Sequence, residues 1–99
     1  MTPDEELRLE REVNRGMQAD AVLNNPIFAE SMLHIRAELM RAFEGTKFKE
    51  HEERDEIWRK LQTIAWFESR LARVMKSGEI AKKTLGQRIK ESALRVVRR

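Results

Sequence analysis

Apolar residues recur along this chain with a helical period almost from end to end. Phe28, Met32, Ile35, Leu39 and Ala42 follow one another at spacings of four and three, which lays them along one face of a helix. Ala29, Leu33 and Met40 widen that face, and Phe43 stands near its end. Asn25 and Pro26 come just before it. An asparagine side chain can accept hydrogen bonds from the first free N–H groups of a helix, and a proline in the first turn lacks a donor that would have no partner there. The "NNP" triplet therefore reads as helix punctuation, and Gly45-Thr46 closes the helix. A second helix follows after a connection of about six residues, and its stripe is Ile57, Leu61, Ile64, Leu71 and Met75. Glu68 interrupts it where the repeat calls for an apolar residue, and Trp58, Ala65, Trp66, Phe67, Ala72 and Val74 thicken it. The acidic run around residues 50–56 suits the positive end of a helix dipole. Gly78 suits a left-handed C-terminal position.

Two long one-sided helices with a short connection predict an antiparallel hairpin, residues 26–44 against 50–77. Its expected core is Phe28, Met32, Ile35, Leu39, Ile57, Leu61, Ile64 and Leu71. Upstream, Thr2-Pro3-Asp4-Glu5 predicts a helix over about residues 3–23, with Thr2 as cap and Glu5 completing a capping box. Its apolar stripe is thin: Leu7, Leu9, Val13, Met17, Ala21 and Val22. Gly16 should weaken it by roughly 1 kcal/mol relative to alanine. Downstream, residues 79–99 place Ile80, Leu85, Ile89, Ala93, Val96 and Val97 on one side of a basic amphipathic helix. The fold class is all-α, a single small domain. It comprises an acidic N-terminal helix (1–24), a helical hairpin (25–78) and a basic C-terminal helix (79–99). Tyrosine is absent and few Val or Ile alternate, so strands are not expected.

Composition sharpens this picture. The 99 residues suffice for one domain, and the charged share of 37 % exceeds the usual quarter, as solvated helices require. With no cysteine, disulfides, thiol catalysis and thiolate metal sites are excluded. No apolar run approaches the ~20 residues that span a bilayer. The acidic start lacks the basic and apolar regions of a signal peptide. A cytoplasmic location is expected, or the virion if the chain is phage-encoded. The net charge of +3 hides an asymmetry. Residues 1–69 carry ten Lys/Arg against fifteen Asp/Glu, and residues 70–99 carry ten against two. Such a split fits a nucleic-acid-binding end, or a basic segment folded onto an acidic body.

The candidate chemistry is sparse. His34 and His51 lie on different predicted elements. His51 stands among Glu50, Glu52 and Glu53, but adjacent helical residues point away from one another, and zinc needs convergent ligands. A metal-dependent hydrolase built on His51 is thus the weakest of three readings, behind a solvated helix start. No serine has a His/Asp arrangement beside it, and no glycine-rich loop could cradle a phosphate. No catalytic residue, metal, cofactor or small-molecule substrate is expected. Trp58, Trp66 and Phe67 read as a hot spot for a protein partner or second copy, or as core filling. Lys82, Lys83, Arg88, Lys90, Arg95, Arg98 and Arg99 read in three ways. They could contact nucleic-acid phosphates. They could belong to a helix docking in a groove or on an anionic surface. They could also simply keep a half-packed helix soluble. No aromatic residue interleaves them to stack on bases.

The middle of the chain resembles a group of small helical proteins of tailed bacteriophages and prophages. The resemblance rests on "VLNNPIFAESMLHIRAEL" at 22–39, Phe43 with Thr46, and "ERDEIWRKLQTIAWFESRLARVMKSGEIAKKTL" at 53–85. Within these, Asn25-Pro26, Arg54-Asp55, Ile57-Trp58 and Gly78, Ile80 and Ala81 match the group's spaced pattern. The resemblance covers about two thirds of the chain and implies no enzymatic activity. It implies a role in virion assembly, packaging or host interaction. The basic tail after Leu85 is longer than the pattern. The leading expectation is a non-enzymatic protein-binding module of phage type. The alternative is a nucleic-acid-binding protein, such as a genome-packaging factor, acting through residues 82–99.

Overall fold

A computed structural model describes the backbone of residues 1–98 and the side chains of residues 1–95. It is all-helical, with α1 at Pro3–Leu23, α2 at Pro26–Glu44 and α3 at His51–Arg98. No strand occurs among the described residues. The chain divides into two units. One joins residues 1–21 to residues from 72 onward, and the other holds residues 22–71.

The helix starts follow their local chemistry. The Thr2 hydroxyl accepts from the Glu5 N–H at 3.2 Å. The Asn25 side chain accepts from the N–H groups of Ile27 and Phe28 at 3.0 and 3.1 Å, with Pro26 in the first turn. Losing that cap should cost about 1 kcal/mol, so Asn25→Ala should lower the unfolding free energy in urea by that amount with helix content kept. At the other end of α2, the Gly45 N–H donates to the Arg41 carbonyl, and both the backbone N–H and the hydroxyl of Thr46 donate to the Phe43 carbonyl. Glu50 opens α3 by accepting from the Lys47 N–H at 3.0 Å.

One expectation is overturned. No break separates residues 51–77 from 79–98; α3 is a single helix of 48 residues. Gly78 does not adopt a left-handed conformation, and no described residue has positive φ. Its missing side chain serves close packing instead. In the unit formed by α1 and the second part of α3, a Cβ on Gly78 would sit 2.7 Å from the Gly16 Cα and 3.0 Å from the Glu12 carbonyl oxygen. A Cβ on Gly16 would sit 2.8 Å from the Gly78 Cα. Two glycines thus meet backbone to backbone. Each is followed three residues later by an alanine, Ala19 and Ala81, which are 5 % and 1 % exposed. Leu9 completes the set of buried apolar residues.

The core therefore lies elsewhere than expected. Within residues 22–71 no residue is buried. Phe28, Met32, Leu39, Ile57, Leu61, Ile64 and Leu71 are half-buried, and Ile35 is 43 % exposed. Two helices alone cannot enclose a stripe this wide. The stripe read along α1 also shifts: Leu7 and Met17 are exposed, while Gly16 and Ala19 lie inside. Contacts of α2 with α3 in this unit include the rings of Phe28 and Phe67, with centroids 6.1 Å apart. The Arg36–Glu68 ion pair and the Arg54 guanidinium, 4.4 Å from the Phe43 ring centroid, add to them. Glu68, which breaks the apolar repeat, sits on the half-buried face because Arg36 neutralises it.

Candidate interaction surfaces

The three aromatic residues singled out in α3 do not form one cluster. Phe67 contacts the Phe28 ring and is still 44 % exposed. Trp58 follows the inward-facing Ile57 by one residue, which turns it about 100° round the helix. Trp66 follows Ile64 by two, which turns it about 200°, to the back. Trp58 and Trp66 are 56 % and 69 % exposed.

Trp58 has company among the residues that widen the two apolar stripes. Ala65 follows Ile64 by one residue, and on α2 Leu33 follows Met32 and Met40 follows Leu39 in the same way. All four are exposed, and each is turned about 100° from its helix's inward stripe in the same sense. The other flank holds a shallow groove of about 440 Å³, floored by Ile35, Leu39 and Ile64 and walled by Glu56, Arg59, Lys60 and Thr63.

The basic residues of α3 separate into partnered and free. Arg88 donates to the Glu5 carboxylate at 2.9 Å. That hydrogen bond, with the Arg88 charge and the Thr2 backbone N–H, holds the Glu5 carboxyl below its ordinary range. The contact is therefore present at neutral pH and fades as acid protonates Glu5. It shows the basic segment meeting the acidic first helix within one unit. Lys82 lines a cleft of about 240 Å³ beside the glycine crossing, with Asp20 and Glu79. Arg95 and Arg88 border a second cleft with Met1 and Ser92. Lys83 and Lys90 are exposed, and among the described residues neither has an ion-pair partner. The Arg98 side chain and Arg99 lie outside the described residues.

The acidic start of α3 carries a carboxyl pair. The hydrogen bond from Glu53, then the Lys47 N–H, lowers the Glu50 carboxyl, while the same hydrogen bond and the charge of Glu50 raise Glu53. The rings of His51 and Phe48 meet in a T-shaped arrangement, with centroids 6.0 Å apart. Among the described residues no three His, Asp or Glu side chains converge on a metal-sized site. None of their helices is long and apolar enough to cross a membrane.

Comparison of the chain with protein-family models, with curated proteins and with solved structures finds no match.

Proposed function

We propose that the protein is a non-enzymatic protein-binding module whose docking surface is the apolar flank of residues 22–71. In this reading α2 and the first part of α3 form an antiparallel hairpin. Support comes from the contacts Phe28–Phe67, Arg36–Glu68 and Phe43–Arg54, in which early residues of α2 meet late ones and late residues meet early ones. In an antiparallel pair, positions turned the same way from the two seams emerge on the same side. Leu33, Met40, Trp58 and Ala65 then form one apolar face. The observation that carries the proposal is that this unit buries no residue of its own yet exposes large apolar side chains on one flank. Contiguous exposed apolar surface marks interaction sites, and a tryptophan beside a methionine and a leucine is a common anchor composition. In this reading the role is one in assembly or an accessory one, which is what the sequence resemblance to small phage proteins implies.

The test combines sedimentation velocity with capture from phage-infected and uninfected host lysate. The wild-type protein is expected to self-associate or to retain a partner. The L33E/M40E/W58E variant should lose that association while keeping its helix content and melting temperature. A wild-type chain that stays monomeric and retains nothing would sink the proposal.

A further inference from the structure

One row of side chains in the other unit stands apart from this surface. Lys76, Lys83 and Lys90 are spaced seven residues apart on α3. Each lies two residues from a position that packs towards α1: Gly78, Ala81 and Arg88 respectively. Two residues are about 200° of helix, so the row runs along the face opposite α1. Seven residues are nearly two turns, so the three ammonium groups follow one line at intervals of about 10 Å. All three are exposed. Among the described residues none of the three has a hydrogen-bond or ion-pair partner. Arg88 is the contrast: it is drawn in to Glu5 and its charge is spent on the fold.

We propose that the Lys76–Lys83–Lys90 row binds the phosphate backbone of a nucleic acid, without reading its sequence. A straight, regularly spaced line of unpaired cations suits a polymer whose charge is continuous. A duplex presents a phosphate charge every ~1.7 Å of its axis, so a row at any register finds partners. An acidic protein surface would have to match the spacing carboxylate by carboxylate. A lipid surface would need a contiguous apolar band beside the lysines. The two neighbouring lines are Ile80, Gln87 and Leu94, polar at its centre, and Glu79, Gly86 and Ala93, acidic at its start, so neither is a continuous apolar band, and no aromatic residue occurs from residue 72 to the end. The same lack of aromatics, and of any arginine in the row, removes stacking and bidentate base contacts. Binding is therefore electrostatic and indifferent to sequence.

The experiment titrates the full chain into a fluorescein-labelled duplex of about 20 base pairs and follows anisotropy. With three phosphate contacts, affinity should fall about 40-fold between roughly 50 and 200 mM salt. Two duplexes of unrelated sequence should bind alike. The K76Q/K83Q/K90Q variant should lose binding and most of the salt slope. The R41Q/K47Q/K49Q variant, which removes equal charge from the other unit, should bind as wild type. Circular dichroism and melting temperature check that both variants fold. If R41Q/K47Q/K49Q weakened binding as much as the row variant did, or if the row variant bound as wild type, the proposal would be overturned. Binding to anionic vesicles or polyglutamate without binding to the duplex would overturn it too. The result is independent of the apolar flank, because the L33E/M40E/W58E variant retains all three lysines.

Discussion

Gly78→Leu is expected to remove about 3 kcal/mol or more of stability, because it puts a side chain where two helix backbones meet. In most helices an interior glycine is a weak point, and replacing it with alanine stabilises by up to ~1 kcal/mol. Here the first added carbon would land 2.7 Å from the Gly16 Cα and 3.0 Å from a carbonyl oxygen of Glu12. Both are backbone atoms of α1, so no rotamer change relieves the clash. The two helices must move apart, and Ala19, Ala81 and Leu9 lose their packing together. Overpacking of this kind costs ~1–3 kcal/mol for small insertions and more for large ones. For a chain whose total stability is of order 5–15 kcal/mol, that is a substantial share. The smaller Gly78→Ala change should still destabilise, by ~1–2 kcal/mol, once its propensity gain is offset. Gly86→Ala supplies the control. Gly86 is helical and a Cβ there meets nothing within 4 Å, so alanine should stabilise it by up to ~1 kcal/mol. Urea denaturation of both variants decides the matter by sign. If both alanines stabilised alike, the close approach of α1 and α3 would be refuted.

Leu9→Ala should cost ~2–4 kcal/mol, in the usual range for truncating a buried leucine. Leu9 is 7 % exposed and is the one large apolar side chain classed as buried among the described residues. Ile35→Ala, on the stripe that looked most like a core, should cost less than ~1 kcal/mol, because Ile35 is 43 % exposed and gives up little burial. Equilibrium unfolding of the two variants compares the two units directly. A larger loss at Ile35 than at Leu9 would place the core back in residues 22–71. In the full chain, a docked partner would add burial at residues 22–71, so the comparison belongs at protein concentrations where the chain is monomeric.

The caps and the helical character were legible because they depend on neighbours in sequence. Asn25, Pro26 and Thr2 act on N–H groups two or three residues away, and α1 and α2 have the boundaries that their cap residues and periodicity predict. The continuity of α3 was not legible. A glycine after a serine, followed by a basic amphipathic segment, has the local chemistry of a helix end. Only a second backbone at packing distance makes that glycine an interior residue. The weak stripe of α1 misled for the same reason. Hydrophobicity identifies large apolar side chains, whereas α1 packs through Gly16 and Ala19, residues whose value is their small size.

The candidate sites divide along the same line. Helical spacing in the sequence puts Trp58 and Trp66 nearly on one face and Phe67 about 100° round from Trp66; the structure adds that Phe67 meets Phe28 while the two tryptophans stay exposed. The sequence grouped the basic residues from Lys82 onward by composition. The structure assigns Arg88 to the fold and leaves Lys83 and Lys90 outward, in line with Lys76, which composition had not marked. By itself, the sequence determined that the protein is all-helical and where α1 and α2 begin and end. Those are matters of period, cap and turn, set by interactions within a few residues. The tertiary structure decided which residues lie inside, that Gly78 joins rather than ends, and which charges remain free. Those depend on what approaches from residues sixty or eighty positions away, and no local pattern carries that distance.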